Sequence, residues 1–170
     1  MTLNPILDRW RLAALIAAAG MLAIAHAFQT FGGLAPCELC LKQRDVYWVA
    51  GGLALAGMLL VRTARGGRFR ELTCWVLALA FAAETAVAAY HAGVEWKFWP
   101  GPQSCTGGGH TSVSVADLKA LLDSTTAHVP MCDHPAWVFL GVSMAGWNAV
   151  AALVLTLFSL AAALRERRRP

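Results

Sequence analysis

Residues 12–31 read LAALIAAAGMLAIAHAFQTF, and no Asp, Glu, Lys or Arg falls between Arg11 and Glu38. A bilayer core of about 30 Å needs about 20 helical residues to cross it, so this stretch is long enough to span. Working outward, three comparable stretches follow. They cover about 44–62, about 72–92 with Glu84 as its one internal acid, and about 136–163, which ends before Arg165. Backbone amides cannot stay unpaired in hydrocarbon, so each stretch is expected to be a helix. Small residues such as Ala13, Ala17, Ala18 and Gly20, or Gly51, Gly52, Ala56 and Gly57, let such helices approach closely. The expected fold is an all-α membrane protein, a four-helix transmembrane bundle forming one integral domain over 1–170. Its outward loops fall at about 32–43 and 93–135.

Composition agrees. Of 170 residues, 58% are hydrophobic and 14% charged, against roughly 25% charged in soluble domains. The mean hydropathy is +0.53. The net charge of +4 does not point to nucleic acid. Ten of the 14 Lys and Arg sit in three clusters: Arg9 and Arg11; Arg62, Arg65, Arg68 and Arg70; Arg165, Arg167, Arg168 and Arg169. Such clusters mark the cytoplasmic side of a membrane, so both termini are expected there. Arg9, Arg11, the apolar run and Ala25-His26-Ala27 imitate a secretory signal. The run exceeds the usual ~7–15 residues of such a signal, and an uncleaved first helix is expected.

This orientation sorts the five cysteines. Cys37 and Cys40 fall in the first outward loop, and Cys105 and Cys132 in the second. That is the side on which disulfides persist. Cys74, at the cytoplasmic end of the third span, reads as a small buried hydrophobe. Pro36-Cys37-Glu38-Leu39-Cys40 is a C-x-x-C motif, and Pro36 suits the first turn of a helix. A helix start there would favour a thiolate at Cys37 or Cys40. Arg44 lies four residues after Cys40, on the same helix face. Two readings stand for it: a cation for the Cys40 thiolate or a polar ligand head group, or an interfacial arginine reaching lipid phosphate. Four cysteines also raise zinc. The second pair is spread too widely for a zinc knuckle, and redox chemistry ranks above metal; no metal is expected.

The second outward loop has three parts. Gly93 to Pro102 is rich in Trp and Pro, and Trp96 and Trp99 suit the lipid interface. Cys105 precedes Gly107, Gly108 and Gly109, a placement that suits a disulfide open to an incoming thiolate. A structural disulfide closing the loop is the plainer alternative. Val113 to about His128 reads as a short amphipathic helix, with Val115, Leu118, Leu121 and Leu122 on one side. It either lies on the membrane surface or packs on the loop.

Together these residues resemble the bacterial disulfide bond formation protein DsbB family. The resemblance rests on Cys37-x-Leu39-Cys40-x-x-Gln43-Arg44, then on Tyr90-His91-x-Gly93-Val94-Glu95 leading to Gly101-Pro102-x-x-Cys105. It ends with Cys132-Asp133 and Trp137-x-Phe139-Leu140-Gly141-x-Ser143-Met144-Ala145-x-Trp147-Asn148. With four spans in order it covers nearly the whole chain, and a DsbI-like branch looks similar. The resemblance implies a thiol:quinone oxidoreductase in the bacterial inner membrane, with both cysteine pairs periplasmic. It implies redox-active disulfides Cys37–Cys40 and Cys105–Cys132. A DsbA-like periplasmic carrier would attack at Cys105, Cys132 would then attack Cys37, and the released Cys40 would face ubiquinone or menaquinone beside Arg44. That family works in a DsbA–quinone system which keeps the periplasm oxidising.

Other polar residues carry two readings each. His91 and Gln43 lie near the depth of Arg44 and either meet a quinone carbonyl or are satisfied interfacial residues. Glu84 is expected to be protonated or paired inside the bundle, since a charge at mid-membrane costs about 2.5–3.5 kcal/mol. His26 and Asn148 read as packing residues. Two rivals remain at this stage. One is a vitamin K epoxide reductase-like membrane protein, in which the C-x-x-C usually comes late in the chain. The other is a non-enzymatic membrane protein with two structural disulfides.

Overall fold

The computed structural model describes residues 6–7, 9–62, 66–102 and 131–168. Cys105 and the 113–128 segment lie outside them. Among the described residues, four helices are long and apolar enough to cross a membrane. They are α1 (Trp10–Thr30), α2 (Glu38–Val61), α3 (Gly66–Glu95) and α4 (Met144–Arg167). A hairpin of β1 (Val138–Phe139) and β2 (Val142–Ser143) precedes α4, with Val138 opposite Ser143. The protein is a four-helix, multi-pass membrane protein.

The helices bury alanines at helical spacing together with a few large side chains, among them Leu77 and Phe81, and turn many other large residues outward. Ala14, Ala18 and Leu22 of α1 are buried, as are Tyr47, Ala50 and Ala54 of α2. A Cβ added at Gly57 would lie 3.0 Å from Thr73, so α2 and α3 approach closely there. Ile16, Leu79 and Leu157 are exposed, as suits side chains whose solvent is lipid. Polar ties cross the bundle as well. The Trp10 indole N–H donates to Ser159 Oγ at 2.9 Å, and Thr85 and Thr156 hydroxyls meet at 3.3 Å. At the end marked by the basic clusters, Arg11 is buried and donates to the Arg70 carbonyl, with Cys74 Sγ at 3.5 Å.

Two helix starts differ from the sequence reading for local reasons. Helix α2 begins at Glu38, six residues before the expected span, because Cys37 caps it: its Sγ accepts the Cys40 N–H at 3.4 Å. Pro36 therefore stands before the cap, outside the first turn. Helix α4 begins at Met144, well after Pro135, because Leu140 (φ 52) and Gly141 (φ 78) close the hairpin. Positive φ at two successive turn residues matches the twist of a tight hairpin and cannot continue a helix.

Candidate active site

The start of α2 and the outward end of α3 build the site. Placing Cys37 at the N-cap aims its sulfur at the first free amides of the helix. Cys37 and Cys40 are free thiols, their sulfurs 3.0 Å apart, so the disulfide expected between them is not formed in this state. Cys37 Sγ lies 3.6 Å from Nε2 of His91 on α3. The Cys40 thiol beside it holds the Cys37 thiol well below the usual thiol range. Burial opposes this and His91 adds to it. A lowered thiol is a thiolate at neutral pH and hence a nucleophile.

Cys132 joins this pair from the far side of the second outward loop. It is buried and disulfide-bonded, and packs with Cys37, Leu39 and Val94. Its Sγ, Cys37 Sγ and a ring nitrogen of His91 lie within 4.8 Å of one another. Three such atoms could hold a metal, but a sulfur in a disulfide is not the thiolate that zinc selects. In this state the cluster is laid out for sulfur–sulfur exchange. Lys97 fixes the approach of Cys132: its Nζ donates to both the carbonyl and Oδ2 of Asp133, each at 2.7 Å.

Beneath the cysteines lies a cavity of about 1310 Å³, lined mainly by apolar side chains of α1, α2 and α4 and by the hairpin segment. Cys40, Gln43, Arg44 and His91 reach its wall. The structure thus brings together Cys37, Cys40, Gln43, Arg44, His91 and Cys132; Cys105 is outside the described residues. Arg44 points its hydrogen bonds to α1, at 2.5 Å to Gln29 Oε1 and 3.0 Å to the Ala25 carbonyl.

Sequence reading passed over Tyr47, Glu95 and Asn148, which line the same cavity. Asn148, taken as a packing residue, donates to Gln43 Oε1 and to Glu84 Oε1, each at 2.7 Å, and accepts the Tyr47 hydroxyl at 2.6 Å. Gln43 in turn meets His91 Nδ1 at 2.9 Å. A buried polar chain therefore runs from Glu84 to the cysteines. Tyr47 stands four residues after Gln43 on α2, and Glu84 seven before His91 on α3. That spacing was the available signal, but it does not name the α4 partner.

Similarity to known proteins extends over most of the chain. Residues 8–162 match the family described as disulfide bond formation protein DsbB. The disulfide bond formation protein B of Paracidovorax citrulli is 32% identical over 169 residues, covering 93% of this chain and 89% of that protein. The proteins of the same name from Methylococcus capsulatus and Marinobacter nauticus are 31% and 29% identical. They cover 84% and 87% of this chain, and 85% and 86% of their own lengths. No solved structure gives a significant match.

Proposed function

The chain belongs to the disulfide bond formation protein DsbB family, and from that premise we propose that it oxidises a DsbA-like periplasmic carrier and passes the two electrons to a membrane quinone. Membership itself makes it a disulfide-forming membrane oxidoreductase. The observation that carries the finer reading is the position of the Cys37–Cys40 pair. Cys132 lies within 4.8 Å on one side, and an apolar cavity opens on the other.

In this scheme a carrier thiolate attacks Cys105 of a Cys105–Cys132 disulfide, and Cys132 leaves as thiolate. Cys132 attacks Cys37 of an oxidised Cys37–Cys40 pair, and Cys40 leaves as thiolate. The second thiol of the carrier closes its own disulfide and frees Cys105, which takes back Cys132 and releases Cys37. The net result is an oxidised carrier and a Cys37–Cys40 dithiol. Free thiols at Cys37 and Cys40 with Cys132 disulfide-bonded match that point of the scheme. Closing the Cys37–Cys40 disulfide then releases two electrons and two protons.

The cavity suits a quinone. Its walls are apolar with a few convergent polar groups. Its volume exceeds the about 300–1,000 Å³ of usual small-ligand pockets, leaving room for part of an isoprenoid tail. Arg44, Gln43 and His91 would hold the head group and Cys40 would face it. The quinone, ubiquinone or menaquinone, supplies the two-electron acceptor. The clusters of Arg at the opposite end support an inner-membrane placement with both termini cytoplasmic and both cysteine pairs periplasmic.

The test is anaerobic mixing of the full-length protein with a reduced thioredoxin-like carrier and a soluble quinone analogue, followed by quinone absorbance. Quinone loss matched mole for mole by carrier disulfide is expected. In Cys40→Ser the quinone signal should vanish while a mixed disulfide still forms at Cys105. A carrier that stays reduced with both ubiquinone and menaquinone analogues would refute the reading.

A further inference from the structure

Some polar groups of the bundle touch none of the sulfurs yet are buried and joined. Glu84 is 0% exposed in the middle of α3, and its Oε1 is bonded only through Asn148 among the described residues. Such a group is costly to keep in a membrane protein and marks function more often than packing.

With Glu84 as a carboxylate paired to Asn148, its oxygens only accept, and following the donors then fixes every orientation along this chain. Glu84 Oε1 accepts, so the nitrogen of Asn148 must face it. The same nitrogen has a second hydrogen, and it goes to Gln43 Oε1. Asn148 Oδ1 is taken by the Tyr47 hydroxyl. With its oxygen used, Gln43 presents its nitrogen to His91 Nδ1 at 2.9 Å. An amide nitrogen cannot accept a hydrogen bond, so Nδ1 must, and the proton of the neutral ring sits on Nε2. Nε2 faces Cys37 Sγ at 3.6 Å and Glu95 Oε1 at 3.9 Å, both acceptors. The other tautomer would set Nδ1–H against an amide N–H. Flipping Gln43 to relieve this sets its nitrogen against that of Asn148. Flipping Asn148 as well sets its oxygen against Glu84. Each clash is buried and leaves a group unpaired.

We propose that the Glu84 carboxylate, Asn148 and Gln43 are positioning residues that hold His91 in the Nε2–H tautomer, so that its ring donates to the Cys37 sulfur. This deepens the proposed function and rests on it for the role of Cys37 in exchange. The device lets a thiolate at Cys37 be stabilised without placing a full positive charge beside it.

The experiment uses the full-length thiol form in lipid nanodiscs, labelled with 15N-histidine, with neither quinone nor carrier present. Long-range proton–nitrogen correlation reads the tautomer, and the His91 signal is assigned by its loss in His91→Gln. The wild-type ring should be protonated at Nε2. Asn148→Leu and Glu84→Leu should give mixed tautomers, and so should Glu84→Gln, whose amide can turn either its oxygen or its nitrogen to Asn148. Site-resolved alkylation of Cys37, which faces Cys40, His91 and Cys132 with Glu95 beyond the ring, gives a second readout. Its acid limb should move up by about one pH unit in Asn148→Leu. A wild-type ring protonated at Nδ1 would overturn the inference, and needs no variant to fold. So would a tautomer and alkylation profile unmoved by both leucine variants. A protein with the Nε2–H tautomer that never reduces quinone would refute the electron transfer reading and leave this one standing.

Discussion

Cys37 and His91 stand 54 positions apart in the chain, yet Sγ and Nε2 are 3.6 Å from one another, because the cap of α2 and the outward end of α3 meet at the same depth. Helix start, second thiol and imidazole thus converge on one sulfur. The Cys37 thiol is lowered, by Cys40 first and by His91 after it. It should therefore stay reactive well below the ordinary thiol pKa of about 8.5. Its contribution to stability is fully present above that unfolded-state value and is lost as pH falls through the lowered folded one. Measured on the thiol form by mass spectrometry, iodoacetamide labelling at Cys37 should remain fast at pH 6. His91→Gln should slow it there and shift the profile upward. A profile centred on the ordinary value in the wild type would remove the thiolate from the site.

Arg44 is anchored to α1 at Gln29 and Ala25 while its side chain lines the cavity wall. The two bonds orient the guanidinium and still leave donors free, since the group carries five. Arg44→Ala should raise the apparent KM for quinone by about tenfold, the loss expected for one hydrogen bond from a charged donor. Mixed-disulfide formation with the carrier at Cys105 should be unchanged. Steady-state kinetics with a soluble quinone analogue reads the first, and gel trapping reads the second. An unaltered KM would take Arg44 out of the binding site.

Lys97 holds Asp133, and through it the adjacent Cys132, against the end of α3. Lys97 keeps the Asp133 carboxyl below its usual range. The tether is therefore complete above the ordinary Asp value of about 3.9 and fails only as pH drops through the lowered one. Both side chains are partly exposed, so the pair contributes only about 0–1 kcal/mol. Lys97→Met should accordingly speed dithiothreitol reduction of the Cys132 disulfide by no more than about fivefold at neutral pH. High salt should produce part of the same effect in the wild type. A Cys132 disulfide equally resistant in both proteins would show that Lys97 does not hold it.

Much of this was legible in the sequence, for reasons the residues make clear. Hydropathy reports depth, so the four spans and the shared depth of Cys40, Gln43, Arg44 and His91 could be read directly. It does not report which way a side chain points around the bundle. Asn148 sits 64 residues from Glu84 and 105 from Gln43, and nothing local pairs them. Apolar runs were equally blind to backbone shape. Trp137-Val138-Phe139-Leu140-Gly141 looks like the first turns of a helix, but its Leu-Gly pair bends it into a hairpin. A helix start at the C-x-x-C was suggested by Pro36, but its cap was not legible, because a cysteine is not a usual cap; its sulfur fills the place of a serine oxygen.

Gly93 gives the sharpest steric prediction. It is buried two residues before the end of α3, and a Cβ there would run into the indole ring of Trp99. That ring stacks on Tyr90 with centroids 5.9 Å apart, and its N–H donates to the Tyr90 carbonyl at 3.0 Å. The Phe98 N–H closes the turn onto the Gly93 carbonyl at 2.9 Å. The indole cannot retreat without giving up both the stack and its hydrogen bond, and the next residue, Val94, packs on Cys37 and Cys132. Gly93→Ala should therefore destabilise this end of the bundle by about 1–3 kcal/mol, the usual range for overpacking. The shift would be read as a lower midpoint in thermal unfolding in detergent and as faster labelling of Cys37. Adding Trp99→Leu to Gly93→Ala removes the ring that the new methyl meets. The double variant should regain part of the lost midpoint relative to Gly93→Ala alone, whereas strictly additive losses would mean the two residues do not clash.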